Sequence, residues 1–105
     1  MFLYLKEIYQ ERIGLRSMDK INELLSIINN GLKNKLVKEH DFSTNIEDYI
    51  HDNFWDIEKE NHEVAIFLND DVIDICEQTE PGLEGTNFRK EIEQAYNDLL
   101  KMLRL

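Results

Sequence analysis

The chain has 105 residues, enough for one domain and too few for two with separate cores. An apolar fraction of 42% with 32% charged residues is that of a folded soluble protein, not of a disordered chain. No apolar run approaches the roughly 20 residues of a membrane span. The single cysteine, Cys76, excludes an internal disulfide and makes a reducing cytoplasm the simplest location.

The net charge of −10 is unevenly placed. Residues 41–84 hold 14 acidic residues against the single base Lys59, whereas residues 1–40 carry +2 and residues 85–105 carry +1. Solubility alone does not require such a regional block. An acidic surface repels nucleic acid and anionic lipid and attracts basic surfaces, of which nucleic-acid-binding sites are the commonest in a cell.

The first 16 residues allow two readings: Phe2, Leu5, Tyr9 and Ile13 share a helical face that Gly14 could end, or residues 2–5 form a short strand. Met1 to Leu5 is apolar but short, lacks a basic lead-in and does not read as a secretory signal. Residues 1–17 stand as an N-terminal extension and 18–105 as the core. Next, Ile21, Leu24, Leu25, Ile28, Leu32 and Leu36 recur at offsets of three and four, which predicts a helix of about 17 residues capped by Asp19 or Ser17. Gly31 weakens that pattern locally. Lys33, Lys35 and Lys38 fall towards its end, where cations suit the helix dipole.

Ser43 and Thr44, with Glu47, resemble a capping box that opens a second helix on the stripe Ile46, Ile50, Asn53/Phe54, Ile57. A third stripe runs through Val64, Phe67, Leu68, Val72 and Ile75. Spacing leaves open whether residues 45–78 form one helix or two; a break around Glu60-Asn61-His62 packs more compactly and is the preferred reading. Pro81-Gly82 ends the pattern. Thr86 or Asn87 then caps a final helix on Phe88, Ile92, Ala95, Tyr96, Leu99 and Leu103. The expected fold is all-α: a compact antiparallel four-helix bundle with an additional short N-terminal element.

No catalytic or metal motif stands out, and no cofactor is expected. His40, His51 and His62 are spread over different faces, and Asp48-x-x-His51 is only an echo of a di-iron ligand pair. Asp70-Asp71 lacks the glycine and glutamate of a calcium loop, and Cys76 reads as an inert core thiol. At about 100° per residue, Glu63, Asp70, Asp74 and Glu77 share one arc off the apolar stripe. Asp48, Asp52 and Asp56 form a second acidic ridge on the preceding helix. Trp55 lies on the polar side of that helix, either covered by Phe2, Tyr4 and Leu5 or serving as an interface anchor among carboxylates. Asp71 falls in the apolar stripe, at its margin or in a buried hydrogen bond.

From about Met18 onward, the Asp-rich segment Leu68-Asn69-Asp70-Asp71-Val72-Ile73-Asp74-Ile75-Cys76, the leading helix Ile21 to Leu32 and the charged final helix Phe88 to Leu103 resemble the colicin-D-type, or self-protective colicin-like, bacterial immunity proteins. Immunity proteins of contact-dependent growth inhibition face similar toxins. The resemblance implies a non-catalytic helical protein that neutralises a nuclease toxin, a tRNase, in a 1:1 complex, without touching nucleic acid or membrane. Asp48, Asp52, Trp55, Asp56, Glu63, Asp70, Asp74 and Glu77 are the expected partner-binding residues. A helical adaptor or homodimer joined through Trp55, and an inhibitor mimicking DNA towards some other protein, are the competing expectations.

Overall fold

The computed structural model of the 105-residue chain describes residues 18–79 and 87–104. All regular structure among these residues is helical. The elements are α1 (Asp19–Lys33), α2 (Glu39–Glu60), α3 (His62–Phe67), a π-helical turn (Leu68–Val72), α4 (Ile73–Glu77) and α5 (Phe88–Leu103). The backbone stays in the right-handed helical region at Phe67, Leu68, Val72 and Ile73, so α3, the π-turn and α4 form one continuous rod. The expectations for residues 1–17, the Pro81-Gly82 stop and a Thr86 cap lie outside the described residues. The all-α expectation is met.

In α1, Ile21, Leu24, Leu25 and Ile28 are buried, as their spacing predicts. The start differs from expectation. Met18 occupies the N-cap without a side-chain bond, and Asp19 lies inside the first turn. The free amides are satisfied from the far end of α2, where the Glu60 carboxylate accepts from Lys20 N at 2.9 Å and from Ile21 N at 3.0 Å. A carboxylate on the helix N-terminus also opposes the positive end of its dipole. The helix stops at Lys33, so Leu36 falls beyond it and is 93% exposed instead of continuing the stripe.

Arg89 at the start of α5 holds this end of α1. Its guanidinium donates to Gly31 O at 3.0 Å and to Asn34 O and Val37 O at 3.2 Å, binding the last turn and the connection to α2 together. It also lies 5.4 Å above the Phe42 ring, which meets Phe88 edge-on at 5.5 Å. Gly31 has a packing reason in the same place. A Cβ there would overlap three atoms of the Phe42 ring, so the glycine that weakens the helical pattern lets that ring approach α1.

The second helix begins at Glu39, earlier than the Ser43-Thr44 signal predicts. Ser43 is buried inside it, where its hydroxyl bonds to His40 O at 3.0 Å and pairs with the Thr79 hydroxyl. A serine that bonds back to a preceding carbonyl is accommodated in a helix interior, and the capping-box resemblance misleads for that reason. Ile46, Ile50 and Ile57 are fully buried, and Asn53 and Phe54 are half-buried. The preferred break appears where expected. Asn61 leaves the helix with extended backbone, and its side chain accepts from Val64 N at 3.1 Å to start α3.

The π-turn alters the third stripe. Val64, Leu68, Val72 and Cys76 are all buried, each four residues from the last, together with Ala65. In an unbroken α-helix four-residue steps drift by about 40° each. Widening one turn returns Val72 and Cys76 to the core side. Phe67 and Ile75, expected in the stripe, are only partly buried, and Asp71 is exposed. Its exposure rules out the buried hydrogen bond and leaves Asp71 at the margin of the stripe, beside Val72. In α5, Phe88, Ile92, Ala95 and Leu99 are buried while Tyr96 and Leu103 are partly covered. Asn87 occupies the N-cap without a side-chain bond.

Candidate functional site

The acidic block of the sequence lies on α2 and on the α3–α4 rod, whose two α-helical parts pack against α2; Ile46, Ile50 and Ile57 of α2 and Val64, Leu68, Val72 and Cys76 of the rod all belong to the one buried core. These apolar residues alternate with carboxylates at helical spacing, so filling the core turns the carboxylates outward. Asp48, Asp52, Asp56, Glu63, Asp70, Asp71, Asp74 and Glu77 are all exposed. None of the eight forms a salt bridge among the described residues. Asp70 accepts a long bond of 3.4 Å from its neighbour Asn69.

On α2, Asp48 and Asp52 flank Trp55 on the outward face: the indole is three residues past Asp52 and seven past Asp48, within one arc at about 100° per residue. Trp55 is 72% exposed. Its ring meets the half-buried Phe54 edge-on, with centroids 5.2 Å apart and planes at 76°. Asp56 sits to one side of this face, and Lys59 closes it one turn further on. Phe2, Tyr4 and Leu5, the proposed cover for the indole, lie outside the described residues.

The α3–α4 carboxylates are distributed differently from the single ridge that a regular helix predicts. With the core at Val64, Leu68, Val72 and Cys76, the opposite side carries Ile66, Asp70 and Asp74. Glu63 and Asp71 each precede a core residue and flank it on one side, while Glu77 follows Cys76 and flanks it on the other. The structure keeps Asp70 and Asp74 together, adds Asp71 near them, and separates Glu63 from Glu77. A π-turn has no signature in hydrophobic spacing except a run of four-residue steps, which a 3.6-residue wheel does not show.

Polar groups elsewhere serve the fold. The Tyr49 hydroxyl lies 2.5 Å from the Glu23 carboxylate and 3.1 Å from Lys20 O, tying α2 to α1. Burial and the adjacent Glu23 push its phenol above the usual range. His62 Nδ1 pairs with Glu58 at 2.9 Å. Gln78 donates to Glu91 at 2.9 Å across the junction of α4 and α5. Cys76 is 1% exposed, and burial, reinforced by Glu47 and Glu77, pushes its thiol up to about 12. At neutral pH it is a protonated core side chain. Among the described residues no group of three His, Cys, Asp or Glu side chains is arranged to hold a metal, and no helix is long and apolar enough to cross a membrane.

No family model, curated protein or solved structure matches the chain. Its chemistry is therefore read from its own surface. Sequence reasoning passes over Glu60 and Arg89, which anchor α1 at its two ends. Both partner with backbone some 40 or more residues away in sequence, and nothing local marks such contacts. Lys33, Lys35 and Lys38 are exposed around the end of α1, where Lys35 lines a groove with Arg89 and Lys90. The outward sides of α2 and α3–α4 carry the opposite sign. Such a surface can offer unpaired carboxylates and one large aromatic to a cationic partner.

Proposed function

We propose that this chain is an immunity-type inhibitor that binds a basic nuclease domain, a tRNase toxin, through the acidic outward faces of α2 and α3–α4. The observation that carries this reading is that eight carboxylates within a −13 segment are exposed without a salt bridge among the described residues. A nuclease cleft is basic because it holds phosphates. Carboxylates projecting from packed helices complement it, speed encounter and exclude the substrate, with no bond made or broken. The likeness of the Leu68–Cys76 segment to colicin-D-type immunity proteins supports the same reading, and a cytoplasmic chain acting in a 1:1 complex is its natural setting.

The test is protection. The gene immediately upstream is expected to encode a toxin with a basic C-terminal domain; co-expression with that domain should restore growth, and Asp70→Lys with Asp74→Lys should weaken the complex by several kcal/mol where those pairs are desolvated. Protection by the reversed protein at equal dose would remove α3–α4 from the interface. An upstream gene without such a domain would count against the function itself. The exposed indole also favours a second reading, a homodimer or adaptor joined through Trp55. Sedimentation decides between them, since that assembly would be salt-insensitive and would dissociate on Trp55→Ala.

A further inference from the structure

Of the two acidic faces, the one on α2 has a feature that charge does not explain. Trp55 is the only tryptophan in the chain, and it is 72% exposed. It is not a misplaced core residue, because Ile46, Ile50 and Ile57 already fill the inward side of the helix and Phe54 covers the shoulder. Its ring is steadied edge-on by Phe54, so a flat indole surface stands out beside Asp52 and Asp48. Other exposed apolar residues are placed differently. Leu36, the most exposed, lies among lysines beyond the end of α1, and Ile66 is 45% exposed on the α3 side.

An aromatic face beside carboxylates distinguishes between the two basic side chains. A lysine ammonium is a compact, strongly hydrated charge, which gains mainly from the carboxylates. A guanidinium is planar and weakly hydrated, so it can lie on an indole while its edge donates two parallel hydrogen bonds to a carboxylate. Asp52, three residues before Trp55, and Asp48, one turn earlier, are placed to receive that edge. Lys59, one turn beyond Trp55, repels a cation from that side, so the guanidinium must enter from the Asp48–Asp52 side.

We infer that the outward face of α2 is an arginine-docking surface, in which a partner's guanidinium stacks on Trp55 and is held by Asp52 and Asp48. This rests on the reading of the chain as a binder of a basic protein. It adds that arginine, not lysine, anchors the contact, and that α2 carries this selectivity while α3–α4 contributes charge without it.

Trp55 is its own reporter, because tryptophan emission from the chain comes from it alone. The full chain is titrated with oligoarginine and oligolysine peptides of equal length and charge, following tryptophan fluorescence and, in parallel, calorimetry. Oligoarginine is expected to bind roughly two- to fivefold more tightly and to change the emission, a preference of the size an exposed cation–π contact gives. By calorimetry, Trp55→Ala should make the two peptides equivalent. Asp48→Asn with Asp52→Asn should weaken both and abolish the preference. Asp70→Asn with Asp74→Asn should weaken both and leave the preference intact. Equal affinities for the wild-type chain, or a preference that survives Trp55→Ala, would overturn the inference. An arginine preference in a chain that protects against no toxin would leave this surface standing and defeat the functional reading alone.

Discussion

Replacing Gly31 by alanine tests the packing at the α1–α2 junction by the sign of its effect. At an open helical site this change is stabilising by about 1 kcal/mol, because alanine is the better helix former. Here the new Cβ would come within 3 Å of Cδ1, Cε1 and Cζ of Phe42. That ring has little room to retreat, being 2% exposed, packed edge-on against Phe88 and covered by Arg89. Overpacking a core typically costs about 1–3 kcal/mol, and overlap with three ring atoms puts this site in the upper part of that range, about 2–3 kcal/mol. The net expectation for Gly31→Ala is a loss of about 1–2 kcal/mol, which lowers Tm by roughly 4–8 °C per kcal/mol in a domain of this size. Urea unfolding followed by far-UV circular dichroism gives the number directly. The decisive arm is the double variant. In a Phe42→Leu background the obstructing ring is gone, so Gly31→Ala should become neutral or stabilising, a coupling of about 2 kcal/mol between the two sites. A Gly31→Ala protein as stable as the wild type, or one that loses the same amount in both backgrounds, would refute the reasoning.

Three further outcomes follow from the same contacts. Glu60→Ala leaves two amides at the start of α1 without their acceptor and should cost about 1–2 kcal/mol by urea unfolding, with Glu60→Gln recovering part of it. Arg89→Ala removes three charge-assisted bonds to the last turn of α1 and its connection to α2 and should cost about 1.5–3 kcal/mol, and Arg89→Lys should not restore it, since an ammonium cannot span the three carbonyls as the guanidinium fork does. Cys76 should resist thiol reagents in the native state at neutral pH and react fully in urea. Because burial raises its folded pKa to about 12, its contribution is complete below the ordinary thiol value and is lost as pH rises towards 12. Cys76→Ala should therefore flatten the fall in stability over that alkaline window relative to the wild type.

The sequence states the helices better than their ends. Ile21, Leu24, Leu25 and Ile28, and again Phe88, Ile92, Ala95 and Leu99, lie where their spacing predicts, because a stripe has to be buried whatever it packs against. The break at Asn61 falls where compact packing of the two apolar stripes favours it, although the Asn61 cap itself is not marked by the spacing. The starts of α1 and α2 were not. Asp19 and Ser43 are both good capping residues by type, but Glu60 reaches the α1 amides across the fold and Ser43 is drawn into the core beside Thr79. At the candidate site, the exposure of Asp48, Asp52, Asp56, Glu63, Asp70, Asp74 and Glu77 follows from amphipathic spacing, whereas that of Asp71 does not. Nor does their grouping on α3–α4, because the π-turn rotates Asp71 outward and parts Glu63 from Glu77.

The most direct test of the functional reading is the association rate of the purified chain with a basic nuclease domain, sought in the gene next to its own, measured by stopped flow as ionic strength rises. Between low and physiological salt the screening length shrinks from about 30 Å to about 8 Å. If the exposed carboxylates of α2 and α3–α4 steer the encounter, the rate should fall steeply across that range, and reversing Asp48 and Asp52 or Asp70 and Asp74 to lysine should lower it at every salt concentration. A complex that forms at a salt-independent rate, or no complex at all, would contradict the account.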